Sequence, residues 1–234
     1  MITIYPAESR FAADHGWLRS NFSFSFAEYY DPHNLQFGPL RVFNDDVVQP
    51  LRGFGPHPHR EMEIVSVVLQ GEIKHEDSMG NSAILRPGEV QRMTAGTGII
   101  HSEVNPSSTE ELHFLQLWFL PNQQGLPPSY EQKAYDQSAM KNQLLPVVSG
   151  QPSSANTVFI HQDLTLYLSE LEAGKTLRFT QQANRRIYIF VIEGELVLNR
   201  DSRLGKRDAA RITAIADLEL ATPAGATFML IDLP

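Results

Sequence analysis

The chain has 234 residues, of which 42% are hydrophobic and 20% charged, with a net charge of −8 and no cysteine. That composition provides for a buried core, and the missing cysteine excludes disulfides, zinc ribbons and iron–sulfur clusters. The acidic balance argues against direct binding to nucleic-acid phosphates, which takes Lys and Arg. No apolar run reaches about 18 residues, so no membrane-spanning helix is expected. The opening Met1-Ile2-Thr3-Ile4-Tyr5-Pro6 lacks the charged start and apolar run of a secretory signal. A soluble, cytoplasmic protein is the expectation.

In chain order, short apolar or alternating runs recur, and helical periodicity is scarce. Ile64 to Leu69, Ala83 to Leu85, Leu112 to Leu120, Val158 to Leu171, Arg186 to Ile192 and Thr227 to Leu233 all read as strands. Turn signals separate them, among them Gly71-Glu72, Arg86-Pro87-Gly88-Glu89 and Glu172-Ala173-Gly174. The run from Leu112 to Leu120 is apolar on both faces and is expected to be buried on both. The Pro-rich segment from Pro121 to Tyr135 and the polar stretch from Ser149 to Asn156 read as the connection between two halves. Val67-Val68-Leu69-Gln70-Gly71-Glu72-Ile73 is echoed by Phe190-Val191-Ile192-Glu193-Gly194-Glu195-Leu196. Each is a strand, a Gly-Glu turn and a new strand, which points to an internal duplication. Closing each half into a barrel would remove exposed sheet edges.

The chemistry concentrates in the first half. On an extended chain, side chains at i and i+2 share a face, and a proline favours extended backbone before it. His57-Pro58-His59 therefore projects two imidazoles together. His101-Ser102-Glu103 repeats the spacing with a carboxylate in second place, after Thr94-Ala95-Gly96-Thr97-Gly98-Ile99-Ile100, whose glycines permit a sharp turn. Two such pairs lining one barrel offer imidazole nitrogens and a carboxylate oxygen, and leave room on an octahedral ion for water or substrate. An isolated H-x-H is a weak signal; the paired arrangement strengthens it. Elsewhere blander readings apply. His75 and His113 read as strand residues with ordinary hydrogen bonds, Asp31-Pro32-His33-Asn34 as a turn, and Arg203 to Arg211 as a solvated loop. Asp45-Asp46 reads as closing a turn rather than binding a cation.

Gly53-Phe54-Gly55-Pro56-His57-Pro58-His59-Arg60, with Glu63 and Gly71, resembles the first cupin motif. Thr94 to Asn105 resembles the second. The wider text is similar to the pirin family, including its bacterial quercetin dioxygenases. The likeness runs through Phe24 to Pro32, Leu40 to Asp46, His75-Glu76-Asp77-Ser78-Met79-Gly80-Asn81, Gln91 to Gly96 and Gln116-Leu117-Trp118. It is dense from about Gly16 to Tyr130. The resemblance implies an all-β fold of two tandem cupin-type jelly-roll barrels. The division read from the sequence is a metal-binding domain at 1–135 and a cupin-like domain without metal at 136–234.

The usual first-motif glutamate would fall at Ile64. Glu63 is one residue away, and a shift of one on a strand reverses the face. Pirins supply the carboxylate from the second motif, which makes Glu103 the expected ligand beside His57, His59 and His101. Glu61 and Glu63 are then expected behind the ligands or at the surface. In the second half, aligning the Gly-Glu turns puts Thr180 and Gln182 where His57 and His59 stand, so no metal is expected there.

The resemblance implies iron as Fe(II); the donors would also accept Mn, Co, Ni, Cu or Zn. It further implies dioxygen chemistry on a flavonol such as quercetin, with Glu103 as the general base and the central ring opening with loss of carbon monoxide. The alternative is a redox-sensitive regulatory protein that binds a protein partner, either a transcription cofactor or a metabolic enzyme.

Overall fold

The structure is a computed structural model and describes residues 1–151 and 157–234. It is built almost wholly of antiparallel strands, and no helix among the described residues is long and apolar enough to cross a membrane. The described residues form two compact units, one of residues 11–135 with 157–162, the other of 1–10 with 136–151 and 163–234.

In the first unit, a seven-stranded sheet runs in the order Ser129–Ala134, Glu89–Thr94, Glu63–Gln70, Leu112–Phe119, Leu40–Val48, Leu18–Phe22, Phe11–Asp14. A second sheet runs Gly53–His59, Ile99–Val104, Ile73–Asp77, Ser82–Leu85. Two such sheets of alternating strands can bury a core between them. Leu18, Val48, Val68, Ile73, Leu85, Leu112 and Phe114 form one buried cluster, and Ile64, Met93, Ala95 and Ile99 another. The Leu112–Phe119 strand is paired on both edges, and six of its eight side chains are buried, in keeping with its doubly apolar sequence.

The second unit has the same plan. Ile2–Tyr5, Ala209–Thr213, Arg186–Gly194, Ala226–Leu233, Thr165–Leu171 and Leu145–Ser149 follow one another in its larger sheet. Thr176–Thr180, Asp217–Ala221, Leu196–Leu198 and Ser202–Leu204 form the smaller one. Gly71 and Gly194 occupy equivalent turns, with φ of 76° and 82°. A Cβ on Gly71 would lie 2.6 Å from Glu111 O, and one on Gly194 would lie 2.0 Å from Gly225 O. Both turns therefore require glycine, which is why the Gly-Glu signal survives in both halves.

Two segments differ from their sequence expectation. Ser129–Ala134, within the stretch expected to be a connection, is an edge strand paired to Glu89–Thr94. Relative to a division at residue 135, the first ten residues and 157–162 change sides. Ile2–Tyr5 pairs with Ala209–Thr213 and takes, in the second unit's sheet, the edge place that Ser129–Ala134 takes in the first. An edge strand needs only one neighbour, so either end of a chain can supply it. Of the polar stretch from Ser149 to Asn156, residues 152–156 lie outside the described residues.

Candidate metal centre

The four predicted ligands come from two paired strands. Gly53–His59 and Ile99–Val104 run antiparallel with His57 directly across from His101. A register shift between His101 and Glu103 then brings Glu103 opposite Phe54. Gly53 makes the approach possible, because a Cβ there would stand 2.3 Å from Glu103 O. Past Glu103, Asn105 secures the loop: its Nδ2 donates to Val48 O at 3.1 Å and Glu110 O at 2.8 Å, and its Oδ1 accepts from Ser107 N.

The three imidazoles converge. Ring centroids lie 4.4 Å apart for His57 and His101, 4.8 Å for His57 and His59, and 4.9 Å for His59 and His101. One nitrogen of each ring lies within 4.8 Å of its counterparts, a spread one ion could bridge. Glu103 enters a second grouping of the same kind with His101 and His75. Glu103, His57 and His59 also line one cavity.

Burial and charge make the site costly when empty. Among the described residues, Nε2 of His59 and Nε2 of His101 are buried without a hydrogen-bond partner, and an unsatisfied buried polar group costs about 1–3 kcal/mol. Burial, then the neighbouring His57, pushes the His59 imidazole down to about 4. Burial and the surrounding histidines push His101 to about 2. Burial raises the Glu103 carboxyl to about 7, against the hydrogen bonds from Gln116 and Ser66. Neutral imidazoles with free lone pairs beside a buried carboxyl are what a divalent cation would stabilise, since the cation reverses the cost of ionising Glu103. The donor set thus fits a first-row metal.

The cavity has a volume of about 410 Å3. Trp17, Phe22, Phe26, Phe54 and Trp118 give it aromatic walls, while Ser20, Asn44, Asp46, Gln116 and Glu103 form a polar side. Trp17 meets Phe54 edge-on at 5.4 Å, and Trp118 meets the His59 ring edge-on at 4.8 Å. Asn44 Oδ1 is buried with no hydrogen-bond partner among the described residues. Asp46 accepts a short hydrogen bond from Ser20 Oγ, and burial, reinforced by Asp45 and Glu103, pushes its carboxyl up to about 7.

Residues 6–119 match the family model described as Pirin, and residues 147–233 match the Quercetinase C-terminal cupin domain. Over 234 residues the chain is 40% identical to the quercetin 2,3-dioxygenase of Escherichia coli K12, a match spanning 100% of this chain and 99% of that relative. The chain belongs to the pirin family. Among solved structures, the bacterial pirin YhhW of Escherichia coli in complex with nickel(II) matches with a TM-score of 0.94 and 39% identity, over 100% of this chain and 99% of that one. A quercetin 2,3-dioxygenase structure from Acinetobacter baumannii, 22% identical with a TM-score of 0.80 over 98% of this chain and 85% of that one, shares the fold.

Among the other residues singled out in this pirin-family chain, Asp45, Asp46, Glu63 and His75 depart from their sequence expectation. Asp45 and Asp46 close no turn; they are buried within the Leu40–Val48 strand, Asp45 against His113 Nε2 at 2.7 Å. Glu63 is fully buried and turned away from the imidazoles. It accepts from Thr94 Oγ1 at 2.7 Å and His161 N at 2.8 Å, and meets His161 Nδ1 at 2.8 Å. Glu61 is partly exposed, with its carboxylate on Gly125 N. In the second unit Thr180 stands across from Asp217, in the register of His57 and His101, and donates to it at 2.8 Å, while Gln182 is exposed. His75 is buried behind His101, with Asp77 beside it. The same i, i+2 spacing that singled out His57 and His59 places His75 and Asp77 on one face, a signal legible in His75-Glu76-Asp77. Gln116 and Asn44 carry no comparable sequence signal.

Proposed function

We propose that this chain is a metal-dependent dioxygenase that opens the central ring of a flavonol such as quercetin, with His57, His59, His101 and Glu103 as the metal ligands. One observation carries the reading: His57, His59 and Glu103 face a cavity of about 410 Å3 with aromatic walls. A flat polyphenol would stack against such walls and reach the ligands with one polar edge. The name of the Escherichia coli relative supports the substrate class, and the nickel(II) complex of the similar Escherichia coli pirin supports a divalent first-row ion. Fe(II) is the metal we assign, although Mn, Co, Ni, Cu or Zn would suit the same donors.

A divalent cation at this centre would lower the pKa of a substrate hydroxyl and stabilise the anion as a Lewis acid. The chain's own residues supply the rest. Gln116 Nε2 donates to Glu103 Oε2 at 2.6 Å and Ser66 Oγ to Oε1 at 3.4 Å, so the carboxylate is held in one orientation. Glu103 then accepts the proton of the flavonol 3-hydroxyl at a carboxylate oxygen. His57, His59 and His101 hold position and transfer no proton. The aromatic walls keep water from the flavonolate while dioxygen adds. Both oxygen atoms are incorporated as the central ring opens, one ring carbon leaves as carbon monoxide, and Glu103 returns its proton to the carboxylate that the opening creates.

Oxygen uptake and bleaching of the quercetin band test this directly. Both should require metal and vanish in Glu103→Ala. Metal-replete protein that consumes no oxygen with any flavonol, yet binds a protein partner with an affinity set by the metal's redox state, would overturn the enzyme in favour of a regulator.

A further inference from the structure

A ligating imidazole offers a lone pair at one nitrogen, and the partner of its other nitrogen decides which. For His57 the backbone decides. Its Nδ1 lies 2.8 Å from Gly55 O, a pure acceptor, so Nδ1 carries the proton and Nε2 the lone pair. Among the described residues no such carbonyl meets His101 Nδ1. Its Nδ1 lies 3.5 Å from His75 Nδ1, and by itself that contact leaves the proton on either nitrogen.

Asp77 removes the ambiguity. Its Oδ1 accepts from Met79 N at 2.9 Å and Asn81 N at 3.1 Å, and its Oδ2 accepts from Asn81 Nδ2 at 2.8 Å. A carboxylate so held only accepts, so His75 Nε2, 3.1 Å from Oδ2, must donate. The His75 lone pair is then at Nδ1. Gln91 Nε2, 3.4 Å from that same atom, is a second donor aimed at it. A lone pair on His101 Nδ1 would face the one on His75 Nδ1, so His101 Nδ1 carries its proton, which leaves the lone pair on Nε2, a buried atom without a hydrogen-bond partner among the described residues.

The strands set up this chain of bonds. Ile73–Asp77 lies beside Ile99–Val104 with Asp77 opposite His101 and His75 opposite Glu103. Both side chains are fully buried, and neither lines the cavity. We propose that Asp77 and His75 form a positioning pair that fixes the tautomer of His101 and thereby its capacity to hold the metal. This rests on His101 being a ligand.

The test is Co(II) binding, followed by the visible ligand-field spectrum and by competition with a chelator, neither of which needs turnover. His75→Phe offers no acceptor to His101 Nδ1 and should weaken Co(II) affinity roughly 10–100-fold with an altered spectrum. In His75→Gln the amide oxygen can accept that proton, so affinity and spectrum should return toward the parent's. Asp77→Asn can turn its amide toward His75 Nε2 and reverse the tautomers, which should cost affinity as His75→Phe does and keeps the test decisive if that variant fails to fold. Folded His75→Phe or Asp77→Asn protein with affinity within about two-fold of the parent would overturn the pair's role. If the parent binds no Co(II), or His101→Ala binds it equally well, the ligand assignment falls and this inference with it.

Discussion

Gln116 Nε2 donates to Glu103 Oε2 at 2.6 Å, while Trp118 Nε1 donates to Gln116 Oε1 at 3.0 Å. An indole N–H can only donate, so Trp118 fixes which end of the amide faces the carboxylate. Gln116→Leu should therefore leave a buried Glu103 oxygen without its donor. A loss of about 1–3 kcal/mol in stability is expected, measured by urea denaturation of metal-free protein, together with slower oxygen uptake when metal is restored.

The imidazole cluster predicts metal-linked stability. A ligand that binds only the folded state adds about 2.7 kcal/mol at one hundred times its Kd. Fe(II) or Ni(II) at saturation should raise the melting temperature of the parent, and a chelator should reverse the rise. His59→Ala should show little of it. An equal rise in both proteins would place the metal elsewhere.

Asp46 predicts a pH dependence. Burial raises its folded carboxyl from 3.8 to about 7, so between those values the folded state binds more protons than the unfolded one. Stability then falls as pH rises through that window, by at most a few kcal/mol. Glu103, raised to about 7 by burial, adds to the same slope in metal-free protein. Asp46→Asn should flatten the fall, seen as a smaller difference between urea midpoints at pH 5 and pH 8. An unchanged slope would mean that Asp46 ionises freely in the folded chain.

The cavity walls predict a split in kinetics. Trp17 meets Phe54 edge-on and lines the cavity, and it is not one of the proposed ligands. Trp17→Ala should raise KM for quercetin roughly ten-fold, the scale of an aromatic contact with its buried area, and change kcat much less. A loss confined to kcat would point to a distorted metal site instead.

Gly53 predicts a sensitive backbone position. Gly53→Ala would set a methyl against Glu103 O, and the Gly53–His59 and Ile99–Val104 strands would have to separate. Metal content after purification should fall well below that of the parent, even where circular dichroism shows an intact fold.

The all-β plan, the repeated Gly-Glu turn and the two i, i+2 pairs were legible along the chain because each depends on local regularities. Strand parity places His57 with His59 and His101 with Glu103 on one face, and the same parity turns Glu63 away. The Gly-Glu turns at Gly71 and Gly194 mark the two halves because the backbone crossing each turn leaves no room for a Cβ. Tertiary structure alone decided the rest. The edge places filled by Ile2–Tyr5 and Ser129–Ala134 depend on pairing between distant strands, about which one strand's own pattern says little. Asp45 and Asp46 look like turn residues until the sheet supplies His113 and Ser20 as partners. His75 gains its place behind His101 only when the Ile73–Asp77 and Ile99–Val104 strands align. Spacing along a strand sets which way a side chain points; what it meets there depends on which strands come together.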